Sequence, residues 1–133
     1  MSRGGDKALP SGMPNCLKKR RLLNEKELSP QMCRELGEKF LALEWWEDAL
    51  EFFQKGGCRE GLDRLEALAL ENGDAFLLSR LKKERDPDFW SRVAGTALSL
   101  GKLAFARRAL ELAGDKEKAG EISRLIMGEE RLH

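Results

Sequence analysis

The sequence predicts an all-α fold of antiparallel helix pairs, stacked on one another and closed by a C-terminal capping helix. Three observations carry that prediction: apolar residues recur at helical spacing from Ser29 onward, proline and glycine signals punctuate them at short intervals, and the turns between helices return with a nearly constant period. No segment alternates as a half-buried strand would.

Each element follows from its local signals. Residues 1–28 hold Gly4-Gly5, Pro10 and Pro14 and show no apolar periodicity, which predicts a disordered, basic tail. Ser29-Pro30 then supplies an N-cap with proline at the first helical position, where its missing N–H costs nothing. Cys33, Leu36 and Phe40 mark the first helix, and Trp46, Ala49, Leu50 and Phe53 the second. After Gly56-Gly57, Leu62, Leu65 and Ala69 mark a third; Asn72-Gly73-Asp74 turns the chain into a fourth with Ala75, Leu78 and Leu81. Asp86-Pro87 repeats the cap-then-proline signal before Trp90, Val93, Ala94 and Ala97, and Leu100-Gly101 ends that fifth helix. Leu103, Ala106, Leu110 and Ala113 form the sixth, and Ala119, Ile122 and Ile126 follow Gly114-Asp115 as the seventh. The helical domain therefore spans residues 29–133.

The turns Leu43-Glu44, Asn72-Gly73 and Leu100-Gly101 fall 29 and 28 residues apart. A helix pair cannot bury its apolar stripe alone, so such a period implies pairs stacked as an array. Within the first pair, Leu36-Gly37, Phe40, Trp46, Ala49 and Phe53 have the order and spacing of the tetratricopeptide repeat, which the chain resembles. Trp90, Val93-Ala94, Ala97, Ala106, Leu110 and Ala113 take the corresponding large and small roles in the third pair, and SLGKLAFARRALELAGDKEKA is similar to helical regions of vesicle-coat and intraflagellar-transport subunits. The middle pair departs from the pattern at Glu66, Leu78 and Lys82, and the period is shorter than about 34 residues, so the chain is tetratricopeptide-like. The resemblance implies a short right-handed α-solenoid acting as adaptor or scaffold.

In that family the first helices of successive pairs line a groove for an extended peptide or partner helix. Carried over, this implies that Gln31, Arg34, Glu38 and Leu41 from the first pair and Ser91, Gly95 and Leu98 from the third face the partner. Arg34 would clamp a carboxylate, Leu41 offer apolar contact, and Ser91 and Gly95 leave room for close backbone approach. Trp45 and Trp46 point about 100° apart on a helix, so both cannot enter one narrow stripe. Trp46 fits the packing pattern, and Trp45 either is a partly exposed binding anchor or covers the junction with the tail. A rival expectation is a structural subunit whose first pair stacks on a neighbour in a larger solenoid or transport assembly.

Composition bounds the alternatives. With 35% charged residues and a formal net charge of +1, the 133-residue chain has no global attraction for nucleic acid or an anionic membrane. Residues 1–29 nevertheless hold seven bases against three acids, leaving 17 bases and 20 acids behind them. The cluster Lys18-Lys19-Arg20-Arg21 could attract nucleic acid, acidic lipid or an import receptor through charge alone, or simply solvate a tail. Aromatic residues to stack on bases are absent from that tail, which argues against single-strand recognition.

Catalysis finds no support. The only histidine is His133, no phosphate loop, HExxH or CxxC occurs, and Cys16, Cys33 and Cys58 lie 17 and 25 residues apart, unlike zinc ligands. Glu35, Glu38, Glu47, Asp48 and Glu51 fit the wet face of amphipathic helices better than an acid–base set, which would need burial and a raised pKa. We therefore expect a non-enzymatic protein with no cofactor and no metal. Three irregularly spaced cysteines and no secretory, membrane-spanning or lipidation signal suggest a cytoplasmic setting.

Overall fold

A computed structural model describes residues 16–24 and 28–132 of the chain. Among the described residues there are eight helices and no strand: α1 (Cys16–Asn24), α2 (Pro30–Ala42), α3 (Trp46–Gly56), α4 (Arg59–Asn72), α5 (Ala75–Arg80), α6 (Pro87–Ser99), α7 (Leu103–Leu112) and α8 (Lys116–Leu132). The last seven correspond to the seven apolar stripes of the sequence. Helix α1 is additional and lies where a tail is expected. The remainder of that expected tail, residues 1–15 and 25–27, lies outside the described residues, as does His133.

Caps explain where the helices begin and end. The Ser29 hydroxyl accepts from the Met32 N–H at 3.1 Å, and the Asp86 carboxylate accepts from the Phe89 N–H at 2.8 Å, each ahead of a proline at the first turn. At five junctions one residue takes a left-handed conformation: Glu44, Gly57, Gly73, Gly101 and Gly114. The N–H of the next residue then reaches the carbonyl of Phe40, Phe53, Ala69, Ala97 or Leu110 respectively, in every case at 2.9 Å. This is the Schellman closure, which satisfies carbonyls that a helix end would otherwise leave unpaired. All five accepting residues are buried, so each cap is also a packing point. The residue after the left-handed one serves directly as N-cap at Trp45, Asp74 and Lys102, which leaves connections only a few residues long.

The chain divides into two compact units, the boundary falling inside α4 after Leu65. In the first, α2 and α3 pack face to face around Cys33, Phe40, Leu50, Phe52 and Phe53, all 1% exposed or less. Phe40 stacks on Phe52 at 5.6 Å and on Trp45 at 5.8 Å between ring centroids. Two glycines allow this closeness: a Cβ at either Gly37 or Gly61 would lie 2.5 Å from the Phe53 ring. Only hydrogen fits there.

The second unit buries Trp90, Val93, Ala94 and Ala97 of α6 with Ala106, Ala109 and Leu110 of α7 and Ala119 and Ile122 of α8. Small residues dominate, so backbones rather than large side chains set the spacing. Gly73 is seated against the Ala97 backbone: a Cβ would meet its nitrogen at 2.6 Å. The same two turns are tied by Lys102 Nζ, which donates to Asn72 Oδ1 at 2.7 Å while Asn72 Nδ2 donates to the Leu68 carbonyl at 2.8 Å. Phe76 meets Phe105 edge-on at 6.0 Å, joining α5 to α7.

Candidate interaction surfaces

The first unit presents α2. Gln31 is exposed and its Nε2 donates to Glu35 Oε1 at 3.1 Å, one turn ahead. Arg34 is exposed too, but its guanidinium is already engaged: Nη2 donates to Glu60 Oε2 at 2.9 Å and Nε to Glu38 Oε1 at 3.4 Å. Hydrogen bonding to Glu38 and the charges of Glu60 and Glu38 raise its pKa further above the ordinary guanidinium value. A carboxylate ligand would have to displace these two acids, which the weakness of exposed, solvent-screened ion pairs permits.

Leu41 is buried, 7% exposed, so its apolar surface belongs to the unit's own core. Its spacing of seven from Arg34 puts it near that face in sequence, but its side chain is covered rather than presented. Trp45 is half-buried and stacks on Phe40 at the N-cap of α3. Trp46 is half-buried as well, unlike the fully buried Ala49, Leu50 and Phe53.

One carboxylate leaves the wet face assigned to it: Asp48 is 2% exposed. Lys19 of α1 hydrogen-bonds its Oδ1 and lies 3.6 Å from Glu51 Oε2. Burying a carboxylate is costly unless it is paired, and the Lys19 cation helps to offset that cost where α1 meets α3. The sequence offered only the run of four bases as a hint, without showing which one turns inward.

The second unit presents α6. Ser91, Gly95 and Leu98 are all exposed on it, Leu98 at 43%. Gly95 lies mid-helix, and a Cβ there would meet nothing within 4 Å. Beside this face opens a cleft of about 340 Å³ lined by Leu70, Phe89, Arg92, Val93 and Thr96. Its lining joins apolar side chains to one exposed guanidinium and one hydroxyl, a mixture suited to a peptide side chain with a polar neighbour. Sequence reasoning missed it because Leu70 and Phe89 come from elements whose approach only the fold defines.

Phe89 is held by a charged network. Arg85 lies over its ring at 4.3 Å and donates through Nη2 to Glu66 Oε2 at 2.5 Å, while Lys83 Nζ donates to Glu66 Oε1 at 3.0 Å. Arg85 Nε is buried with no hydrogen-bond partner among the described residues. Burial acts to raise the Glu66 carboxyl, but the hydrogen bonds and charges of Arg85 and Lys83 outweigh it and hold the group below the usual carboxylate range. Glu66, a departure from the family pattern, is thus a structural acid. Leu78, the second departure, is buried, and Lys82, the third, takes a left-handed conformation after α5.

Cys33 is buried and Cys58 half-buried, both as free thiols. Burial pushes the Cys33 thiol up, opposed by the charge of Lys55. Among the described residues no group of three or more His, Cys, Asp or Glu is arranged to hold a metal ion, and no helix is long and apolar enough to cross a membrane. Comparison of the chain with protein-family models, with curated proteins and with solved structures finds no match.

Proposed function

We propose that the chain is a non-catalytic protein–protein interaction module, an adaptor or scaffold built as a short right-handed, tetratricopeptide-like α-solenoid in the cytoplasm. It binds a peptide or a partner helix, and α6 is the contact. One observation carries this reading: the outer face of α6 combines an exposed Leu98, small residues at Ser91 and Gly95, and the adjoining cleft of Leu70, Phe89 and Val93 with Arg92 beside it. An apolar anchor, room for close approach and a charged edge are what a groove-bound helix requires.

Affinity capture from the native cell's lysate tests it, with the full chain, a version beginning at Ser29, and Leu98→Asp read side by side by mass spectrometry. A protein retained by the first two and lost from the third supports the reading. A recovered set indifferent to Leu98→Asp sinks it.

The second reading, a structural subunit of a larger solenoid or transport assembly, draws on α8, whose Leu125 and Met127 are more than half exposed. Light scattering decides here. Self-association abolished by Leu125→Lys favours the subunit, whereas a monomer indifferent to that change favours the adaptor.

A further inference from the structure

Helix α1 sorts its four adjacent bases onto two faces. At about 100° per residue, Lys19, Leu22 and Leu23 share one arc, and these are the partly covered positions of α1. Lys19 turns inward to Asp48 and Glu51 of α3. Lys18, Arg20 and Arg21 occupy the remaining arc, all exposed, and between them stands Leu17 at 76% exposure. The inward lysine fixes the rotation of the helix, so the outward face is a set arrangement: an exposed leucine ringed by three cations.

We infer that this face docks the protein reversibly on an anionic membrane surface. Two features favour a bilayer over a nucleic acid. A phosphate backbone would satisfy the cations but leave Leu17 against charge, whereas the headgroup region accepts cations and an apolar side chain side by side. Helix α1 also carries no aromatic residue to stack on a base. A short polybasic face by itself binds weakly and salt-dependently, which suits reversible recruitment. The inference is independent of the α6 surface.

Sedimentation of the full-length chain with phosphatidylcholine vesicles, with and without about one third phosphatidylserine, reads the binding directly. The expected result is binding to the anionic vesicles alone, steeply weakened by salt. Each base near an anionic leaflet contributes about fivefold, so R20E/R21E lowers binding at least about twentyfold, with an unchanged far-ultraviolet circular dichroism spectrum. The milder R20Q/R21Q lowers it more than tenfold by the same count, and Leu17→Ser several-fold. Absence of binding at low salt, tighter binding to a short DNA duplex than to the vesicles, or a charge-reversed variant within about threefold of the parent each overturns the inference.

Discussion

Three glycines occupy the same cap position in the second unit, and replacing each by alanine separates two costs usually confounded. Gly73, Gly101 and Gly114 all have left-handed backbones, with φ of 64°, 72° and 82°. An alanine there costs about 1–2 kcal/mol from the Cβ alone. At Gly101 and Gly114 nothing lies within 4 Å of the added atom, so that cost is the whole effect. At Gly73 the added atom meets the Ala97 nitrogen at 2.6 Å and its Cα at 2.8 Å. These are backbone atoms inside α6 and cannot rotate away as a side-chain end would. Overpacking of this kind adds about 1–3 kcal/mol, giving about 2–5 kcal/mol for Gly73→Ala. Urea denaturation followed by circular dichroism and by fluorescence, to which the buried Trp90 contributes, measures the series. If Gly73→Ala unfolds at the same urea concentration as Gly101→Ala, the close seating of the α4–α5 turn on α6 is wrong.

Other consequences are testable with the same assay. Glu44 is a left-handed non-glycine residue at a Schellman cap, so Glu44→Gly should gain about 0.5–1 kcal/mol, the relieved strain less the entropy that glycine returns to the unfolded chain. Glu66→Gln should lose about 1.5–3 kcal/mol at neutral pH, because it strips a charged partner from Arg85 and Lys83. The pH dependence has a definite sign: the folded carboxyl of Glu66 is depressed, so its contribution is fully present above the unfolded value of about 4.3 and disappears as pH falls through the lower folded value. Acid titration of the urea midpoint should therefore be flatter in Glu66→Gln than in the parent, and equal slopes would contradict the network. In a Cys16→Ser background, a thiol reagent should modify Cys58 in the native protein and Cys33 only after unfolding, with two rapid equivalents ruling out the packed Cys33.

How far the sequence reaches is set by what is local. Caps depend on a few adjacent residues, so Ser29-Pro30, Asp86-Pro87 and the turn glycines announce helix boundaries without any tertiary knowledge. Burial is not local. The stripe of α3 reads as Trp46, Ala49, Leu50 and Phe53, yet Trp46 is only half-buried while Phe52, stacked on Phe40 of α2, is fully buried. Ala109 is hidden for a similar reason, α7 lying against both α6 and α8. Helix α1 is illegible in the sequence because Lys19 meets a buried carboxylate nearly thirty residues away and carries no mark to distinguish it from its three neighbours. Among the proposed contact residues, exposure at Ser91, Gly95 and Leu98 follows from helical phase alone, whereas Leu41 lies close enough to the edge of its stripe that the neighbouring helix decides its burial.

Gly95 offers the sharpest link between stability and the proposed function. Most departures from favourable local chemistry here have a structural reason: Glu44 closes a Schellman cap, Gly37 and Gly61 admit the Phe53 ring, and Gly73 admits the α6 backbone. Gly95 has none. It is helical, exposed and mid-element, with open space where a side chain would stand, and glycine at such a site costs about 0.5–1 kcal/mol relative to alanine. Gly95→Ala should therefore raise the urea midpoint by that amount. If α6 accepts a partner's backbone closely, the same methyl group should weaken partner retention while the fold becomes more stable, a combination that general destabilisation cannot produce. Retention unchanged in the stabilised variant would mean that the space above Gly95 is not used, and the contact on α6 would then have to lie along the cleft and Leu98.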